Sequence, residues 1–172
     1  MTGGSLEARL EAAPRWVWVP LASGLALLVP GVLAMLTHRL FVFASLGPTA
    51  VTIAQQPLQP AARSYNALLG HLLGLGSGYA MVFAFGLAHT PSVFVLHTVS
   101  DARVAASVLA VAIAMLLELR LNARHPPAAS TTLLASLGSF HPTWYDTGLV
   151  IGGVLSVTLT AEILRRIRLR ML

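Results

Sequence analysis

The sequence predicts an all-α polytopic membrane protein with four long transmembrane helices and two broken or re-entrant half-helix segments, arranged as two related, inverted repeats. The first observation is composition: 56% of the 172 residues are hydrophobic and only 10% are charged, against about 45–50% and about 25% in soluble domains. The second is the presence of four long apolar segments. The third is a short apolar stretch interrupted by Gly or Pro, which occurs between the first and second long segments and again between the third and fourth.

The four long segments are each close to the roughly 20 residues that an α-helix needs to cross a bilayer. An interfacial aromatic pair, Trp16 and Trp18, opens the first of them. In chain order the predicted spans are Trp16–Thr37, Asn66–Ala88, Ala102–Leu121 and Thr147–Leu164.

The two short stretches, residues 41–56 and 125–139, are interrupted by Gly47-Pro48 and by Pro126-Pro127. Proline stops a helix but is well tolerated in the first turn of a new one. A backbone group left unpaired in hydrocarbon costs several kcal/mol, about 2–7 by transfer data, so a broken helix persists only where protein or a polar cavity receives it. Each break is therefore a candidate functional feature.

The order of long, broken and long segments occurs twice and predicts an internal duplication. The first repeat covers residues 16–88, a connecting loop covers 89–101, and the second repeat covers 102–164. Residues 1–15 are expected to form a cytosolic lead-in, and 165–172 a basic cytosolic tail.

Arginine placement discriminates two topologies, because cytoplasmic loops are rich in positive charge. If the broken segments cross the membrane, Arg39 and Arg103 lie on one side and the other nine arginines on the opposite side. If the broken segments are re-entrant, the arginines are divided less unevenly between the two sides of the membrane. The arginine count therefore favours broken segments that cross the membrane, with both termini in the cytoplasm. The short length of these segments leaves a re-entrant path open. The expected location is the bacterial inner membrane.

The start of a helix after each break would form an anion site, because its free N–H groups and dipole attract negative charge and nearby hydroxyls add donors. The alternative is that the prolines only kink packed helices and that the hydroxyls bond back to carbonyls. The candidate substrate-binding residues are Ser45, Gly47, Pro48, Thr49, His71, His125, Pro126, Pro127, Ala128, Ser130 and Thr131.

Two histidines of that set could act as polar or protonatable gates. His71 lies within a predicted span, where an ionisable residue is a functional candidate by default, and His125 begins the proline break. A helix cap for His125 and a backbone-bonded interfacial position for His71 are the competing interpretations. Arg63 and Arg124 flank the two breaks and could attract anions to an entrance, whereas Glu118 is expected to form an interfacial ion pair with Arg120 and Arg124.

Several chemistries are not expected. The chain has no cysteine, which excludes disulfides and thiolate metal sites. Neither a metal site, a cofactor fingerprint nor a catalytic constellation is evident, so no enzyme activity is expected. The net charge of +5 comes from arginines near segment ends, which indicates lipid headgroups and not nucleic acid as partners. Glycine-rich faces make a homo-oligomer an expectation.

The chain resembles the HPP family of integral membrane proteins, which takes its name from the string at His125-Pro126-Pro127. Other recurrent strings occur in the same order: 45–50 (SLGPTA), 57–63 (PLQPAAR), Gly70-His71 and 135–138 (ASLG). For cyanobacterial and chloroplast relatives the resemblance implies nitrite transport. The expected function is therefore transmembrane transport of a small inorganic anion, nitrite above all, and the alternative is a structural or regulatory membrane subunit without transport activity.

Overall fold

The computed structural model describes residues 14–171 and contains seven α-helices and no strand in that range. The predicted all-α class is confirmed. The predicted lead-in lies outside the described residues except for Pro14 and Arg15. In chain order the helices are α1 (Arg15–Thr37), α2 (Leu46–Gln55), α3 (Ser64–Ala84), α4 (Val93–Leu96), α5 (Asp101–Arg120), α6 (Ala128–Ser136) and α7 (Trp144–Arg170), with one 3₁₀ turn at Pro60–Ala62.

Four helices, α1, α3, α5 and α7, are long and apolar enough to cross a membrane, as the hydropathy of the sequence predicts. Their ends differ from the predicted ones. Helix α7 continues through the basic residues 165–170, where Glu162 pairs with Arg165 and Arg166 one turn later. Such i,i+3 and i,i+4 pairs stabilise a helix, so most of the predicted tail is helical.

The two short segments each carry the chain back across the bundle. Helix α1 begins at Arg15 and ends at Thr37. By the end of α2 the chain has returned to the beginning of α1, because the Gln55 carbonyl accepts a 3.1 Å hydrogen bond from Arg15. In the same way α5 ends at Arg120, while the carbonyl of Ser136 accepts a 2.8 Å bond from Arg103 near the start of α5. The chain therefore passes along the bundle six times, four times as long helices and twice as irregular chain plus a short helix.

These passes define two ends of the molecule. The first end holds both termini of the described chain, because the Arg168 guanidinium lies 5.2 Å from the centre of the Trp18 ring. The second end holds Arg39, which lies over Tyr145 at the start of α7, and Arg103, which is buried against carbonyl oxygens. The arginines of the first end are Arg15, Arg63, Arg120, Arg124, Arg165, Arg166, Arg168 and Arg170.

Helix contacts occur in matched pairs between the two halves. Helix α2 packs against α1 and α7, and α6 packs against α5 and α3. Helices α1 and α7 contact each other, as do α5 and α3, and α3 also meets α7. Each short helix thus lies between the first helix of its own half and the last helix of the other. These matched positions of the two short helices support the division into two repeats, which stays a prediction.

Glycines let α6 approach α3 closely. A Cβ on Gly74 would stand 2.6 Å from the Thr132 hydroxyl and 2.9 Å from the Ala128 carbonyl, and one on Gly78 would stand 2.6 Å from the Ala135 Cβ. Small residues permit such backbone proximity between membrane helices. The contact brings the first turns of α6 beside His71 of α3.

Candidate functional site

A group of polar side chains is buried where α2, α3 and α6 meet. We call it the His–Thr cluster; it consists of Ser45 and Thr49 from the start of α2, His71 from α3, and His125 and Thr131 from the second broken segment. Each of these residues is at most 2% exposed. In an apolar bundle, polar groups buried this deeply are costly unless they are hydrogen-bonded.

The cluster joins the two broken segments through direct side-chain hydrogen bonds. The Ser45 and Thr131 hydroxyls lie 2.7 Å apart, which links α2 to α6. The His71 ring bridges the same two helices, with Nδ1 2.6 Å from the Thr131 hydroxyl and Nε2 2.8 Å from the Thr49 hydroxyl. His125 Nε2 lies 3.2 Å from the same Thr49 oxygen, and the two imidazole centroids are 5.2 Å apart.

One arrangement of hydrogens satisfies these contacts with both rings neutral. The Ala61 carbonyl can only accept, so His125 Nδ1, 2.7 Å away, carries a hydrogen and Nε2 is an acceptor. Ser45 then donates to Thr131, Thr131 to His71 Nδ1, and His71 Nε2 to Thr49. The single Thr49 hydrogen is left for the Ser45 carbonyl at 2.9 Å or for His125 Nε2. The Ala61 carbonyl determines the His125 tautomer, whereas donation in the opposite direction through His71 is compatible with the same distances.

His125 is fixed by the backbone on one side and by a carboxylate on the other. Its backbone N–H donates to Glu118 Oε2 at 2.9 Å, and Glu118 is fully buried. The expected ion pair of Glu118 with Arg120 and Arg124 is wrong, because within residues 14–171 no arginine lies within salt-bridge distance of this carboxyl group. Its other oxygen, Oε1, has no hydrogen-bond partner among the described residues.

The backbone donors after the breaks are already engaged in this conformation. The N–H groups of Ala128, Ala129 and Ser130 donate to carbonyls three residues earlier, and the Thr49 N–H donates to the Ser45 carbonyl. Gly47 has open space where a Cβ would stand. The donors that could change partner at the site are therefore side-chain hydroxyls and imidazoles, which bond to one another or to backbone carbonyls in this conformation.

The remaining predicted site residues surround the cluster without joining its hydrogen bonds. Pro127 and Ala128 are buried, Gly47 and Ser130 are half-buried, and Pro48 and Pro126 are exposed. The predicted entrance residues Arg63 and Arg124 are exposed at the first end. The Arg124 carbonyl accepts a 3.3 Å bond from Asn66 of α3, which joins the loop before His125 to the start of that helix.

An apolar cavity of about 120 Å³ borders the cluster between α3 and α7. His71 lines it together with aliphatic side chains, among them Leu75, Val150 and Val154. A small molecule in this space would contact the imidazole without first disrupting helix packing. The cavity is large enough for several water-sized groups, since one water occupies about 30 Å³ of liquid.

The cluster can both donate and accept hydrogen bonds while its side chains are neutral. Three hydroxyls and two imidazoles provide donors that can reorient, and within the described residues no group of three or more metal-ligating side chains gathers. Among the described residues, the Glu118 carboxyl group hydrogen-bonds to the His125 backbone and to no side chain of the cluster. Sequence reasoning assigned this carboxyl group to an interfacial ion pair and missed its bond to His125, although a glutamate in the last turn of an apolar helix is a usable signal.

A comparison with protein-family models matches residues 9–171 to the family described as "HPP, transmembrane region". No curated protein and no solved structure matches the chain. The match covers nearly the whole sequence and agrees with the four apolar helices. The chain therefore belongs to the HPP family of transmembrane proteins.

Proposed function

We propose that the protein transports a small inorganic anion, most specifically nitrite, through the His–Thr cluster. The observation that carries this proposal is the direct contact of the two broken segments through buried hydroxyls and imidazoles. Transporters commonly place substrate sites where discontinuous helices of two repeats meet. Intramembrane ionisable residues mark such pathways by default.

The hydrogen-bond donors of the cluster favour an anion over a cation as the substrate. Hydroxyl and imidazole N–H groups can donate to the oxygens of nitrite, and the cluster has no carboxylate in contact with its side-chain donors. Cation sites in membranes are usually built from carboxylates or carbonyl rings. The start of α6 also points toward this region with the positive end of its dipole.

In this proposal, the cluster as observed, with its side chains hydrogen-bonded to one another, represents a closed state without substrate. The anion would replace bonds such as Ser45–Thr131 and Thr49–His71, so each freed donor would regain an acceptor. Because Ser45–Thr131 connects α2 to α6 and Thr49–His71 connects α2 to α3, binding would be coupled to the relative position of these helices.

An anion flux assay tests this function. The purified protein is reconstituted into liposomes, and uptake of nitrite, nitrate, formate and chloride is measured separately against protein-free liposomes. We expect flux for at least nitrite, with selectivity for small monovalent anions. If none of the four anions moves faster than through protein-free vesicles, the transport proposal is wrong.

The alternative is a structural or regulatory membrane subunit, and one observation favours it. The cluster satisfies its own hydrogen bonds, so it can act as a polar lock that only fixes α2, α3 and α6 in register. This role predicts that cluster variants lose thermal stability while liposomes containing the native protein show no anion flux. Neither proposal assigns a chemical reaction to the protein, and a homo-oligomer is compatible with both.

A further inference from the structure

A second polar feature lies at the first end of the molecule, away from the His–Thr cluster. It is a cavity of about 300 Å³ bordered by the first turn of α1, the last turn of α7 and the loop that follows α2. Its lining includes Arg15, Trp18, Arg168 and residues 54–59. We call it the end pocket.

Arg168 is held in the end pocket in an unusual way. The residue is only 7% exposed, and its guanidinium lies 5.2 Å from the centre of the Trp18 ring. Within residues 14–171 it makes no hydrogen bond or ion pair, whereas its neighbours Arg165 and Arg166 both bind Glu162. A cation–π contact uses the charge of a guanidinium and not its N–H groups, so these donors stay available for an oxyanion.

A second arginine faces the same space. Arg15 is exposed, and its Nη2 donates a hydrogen bond to the Gln55 carbonyl at 3.1 Å. Among residues 14–171 no acidic side chain lines the cavity, and the remaining polar side chains of its lining are Gln55, Gln56 and Gln59. Two guanidiniums with amide donors form a site for an anion that accepts several hydrogen bonds, and phosphate oxygens match the guanidinium fork.

We propose that the end pocket binds a phosphate group, either that of an anionic phospholipid headgroup or free inorganic phosphate. The pocket lies at the terminal turns of two membrane-spanning helices, beside the 81% exposed Trp16. Tryptophan and arginine are enriched where helices meet the headgroup layer. The site does not depend on the transport proposal, because none of its lining residues belongs to the His–Thr cluster.

Thermal unfolding in a neutral detergent distinguishes the two sources of phosphate. One arm compares sodium phosphate with sodium chloride at equal ionic strength. The other compares short-chain phosphatidylglycerol with a short-chain diacylglycerol, which lacks the phosphate, at equal concentration. We expect a rise in Tm with one of the two phosphate probes over its control, and the arm that gives the rise identifies the source.

Arginine variants locate the effect. Arg168→Gln should lower the affinity for the stabilising probe roughly 10-fold or more, because a charge-assisted hydrogen bond is lost. Arg15→Gln changes an exposed residue, so it provides a second test in a protein that stays folded, and it should also weaken binding. Arg170→Gln removes the same charge from an exposed position on α7 outside the pocket and should bind like the native protein.

Two results would overturn the proposal. One is the absence of any Tm difference between each phosphate probe and its control. The other is an equal loss of binding in Arg15→Gln and Arg170→Gln, which would indicate general charge attraction to the first end without a specific pocket. The flux assay is separate, so failure of transport leaves this test unaffected.

Discussion

At the scale of single residues, Thr49 and His71 show how a few polar atoms connect two broken segments. Each has more than one partner in the His–Thr cluster, and His71 uses both ring nitrogens. Replacing one member leaves others without a partner. The cost of a buried unsatisfied group, about 1–3 kcal/mol, therefore makes this cluster sensitive to substitution whether its role is transport or packing.

Glu118 provides a residue-scale prediction about stability. Its Oε2 accepts the His125 N–H at 2.9 Å, and no arginine among the described residues is paired with it. Glu118→Gln retains an acceptor of the same shape, so we expect a Tm close to that of the native protein. Glu118→Ala leaves the buried N–H unpaired and should lose about 1–3 kcal/mol. Thermal unfolding in detergent measures both.

A large loss of stability in Glu118→Gln comparable to that in Glu118→Ala would contradict this account. It would show that the negative charge of the carboxylate, and not its hydrogen bond to His125, stabilises the fold.

Part of the site could be predicted from local sequence. The breaks at Gly47-Pro48 and Pro126-Pro127 identify helix starts, and His71 stands out because it interrupts an apolar run. The pairing of Ser45 with Thr131 and of His71 with Thr49 could not be predicted, since it depends on how closely α6 packs on α3. The role of Glu118 also depends on the path of residues 121–124.

At the scale of helices, the glycine face of α3 controls how close α6 lies to His71. Gly74→Ala would place a Cβ 2.6 Å from the Thr132 hydroxyl and 2.9 Å from the backbone carbonyl of Ala128. The backbone carbonyl cannot rotate away, so the helices must separate. We expect a loss of about 1–3 kcal/mol for this overpacking and a reduced flux.

Gly76→Ala on the same helix is the matched control. Nothing lies within 4 Å of its Cβ position, and alanine has a higher helix propensity than glycine by about 1 kcal/mol. This variant should be neutral or slightly stabilising, with native flux. Equal effects of Gly74→Ala and Gly76→Ala on Tm and flux would show that α3–α6 proximity is not important.

The helices themselves were largely predictable, because hydropathy over about 20 residues is a local property. The four long helices lie where the apolar segments predict. The one-turn helix α4 was not predicted, since Val93–Leu96 is too short to show a helical period. Nor could the sequence show that Arg15 and Arg103 bond to the last carbonyls of α2 and α6.

At the scale of the whole molecule, six passes place the loop after α2 and the segment before α5 at opposite ends. The chain has no cysteine, so single cysteines at the exposed positions Gln59 and Thr98 can report their side of the membrane. The first end carries most of the arginines, which favours a cytoplasmic location. In intact bacterial cells, we expect a membrane-impermeant maleimide to label Thr98→Cys and not Gln59→Cys.

Permeabilised cells supply the control, since both cysteines should then react. Four crossings with re-entrant short segments and cytoplasmic termini predict the reverse pattern in intact cells, with Gln59→Cys labelled and Thr98→Cys protected. That result would contradict the six-pass arrangement in the membrane.

The most direct test of the account is nitrite flux through liposomes containing Thr131→Val, compared with Thr158→Val. Both threonines are fully buried, but Thr131 bonds Ser45 and His71, whereas the Thr158 hydroxyl has no partner among the described residues. Valine keeps the branched shape and removes the hydroxyl. We expect Thr131→Val to reduce flux roughly 10-fold or more and Thr158→Val to retain it. Native flux in a folded Thr131→Val protein would contradict the assignment of the His–Thr cluster as the anion site.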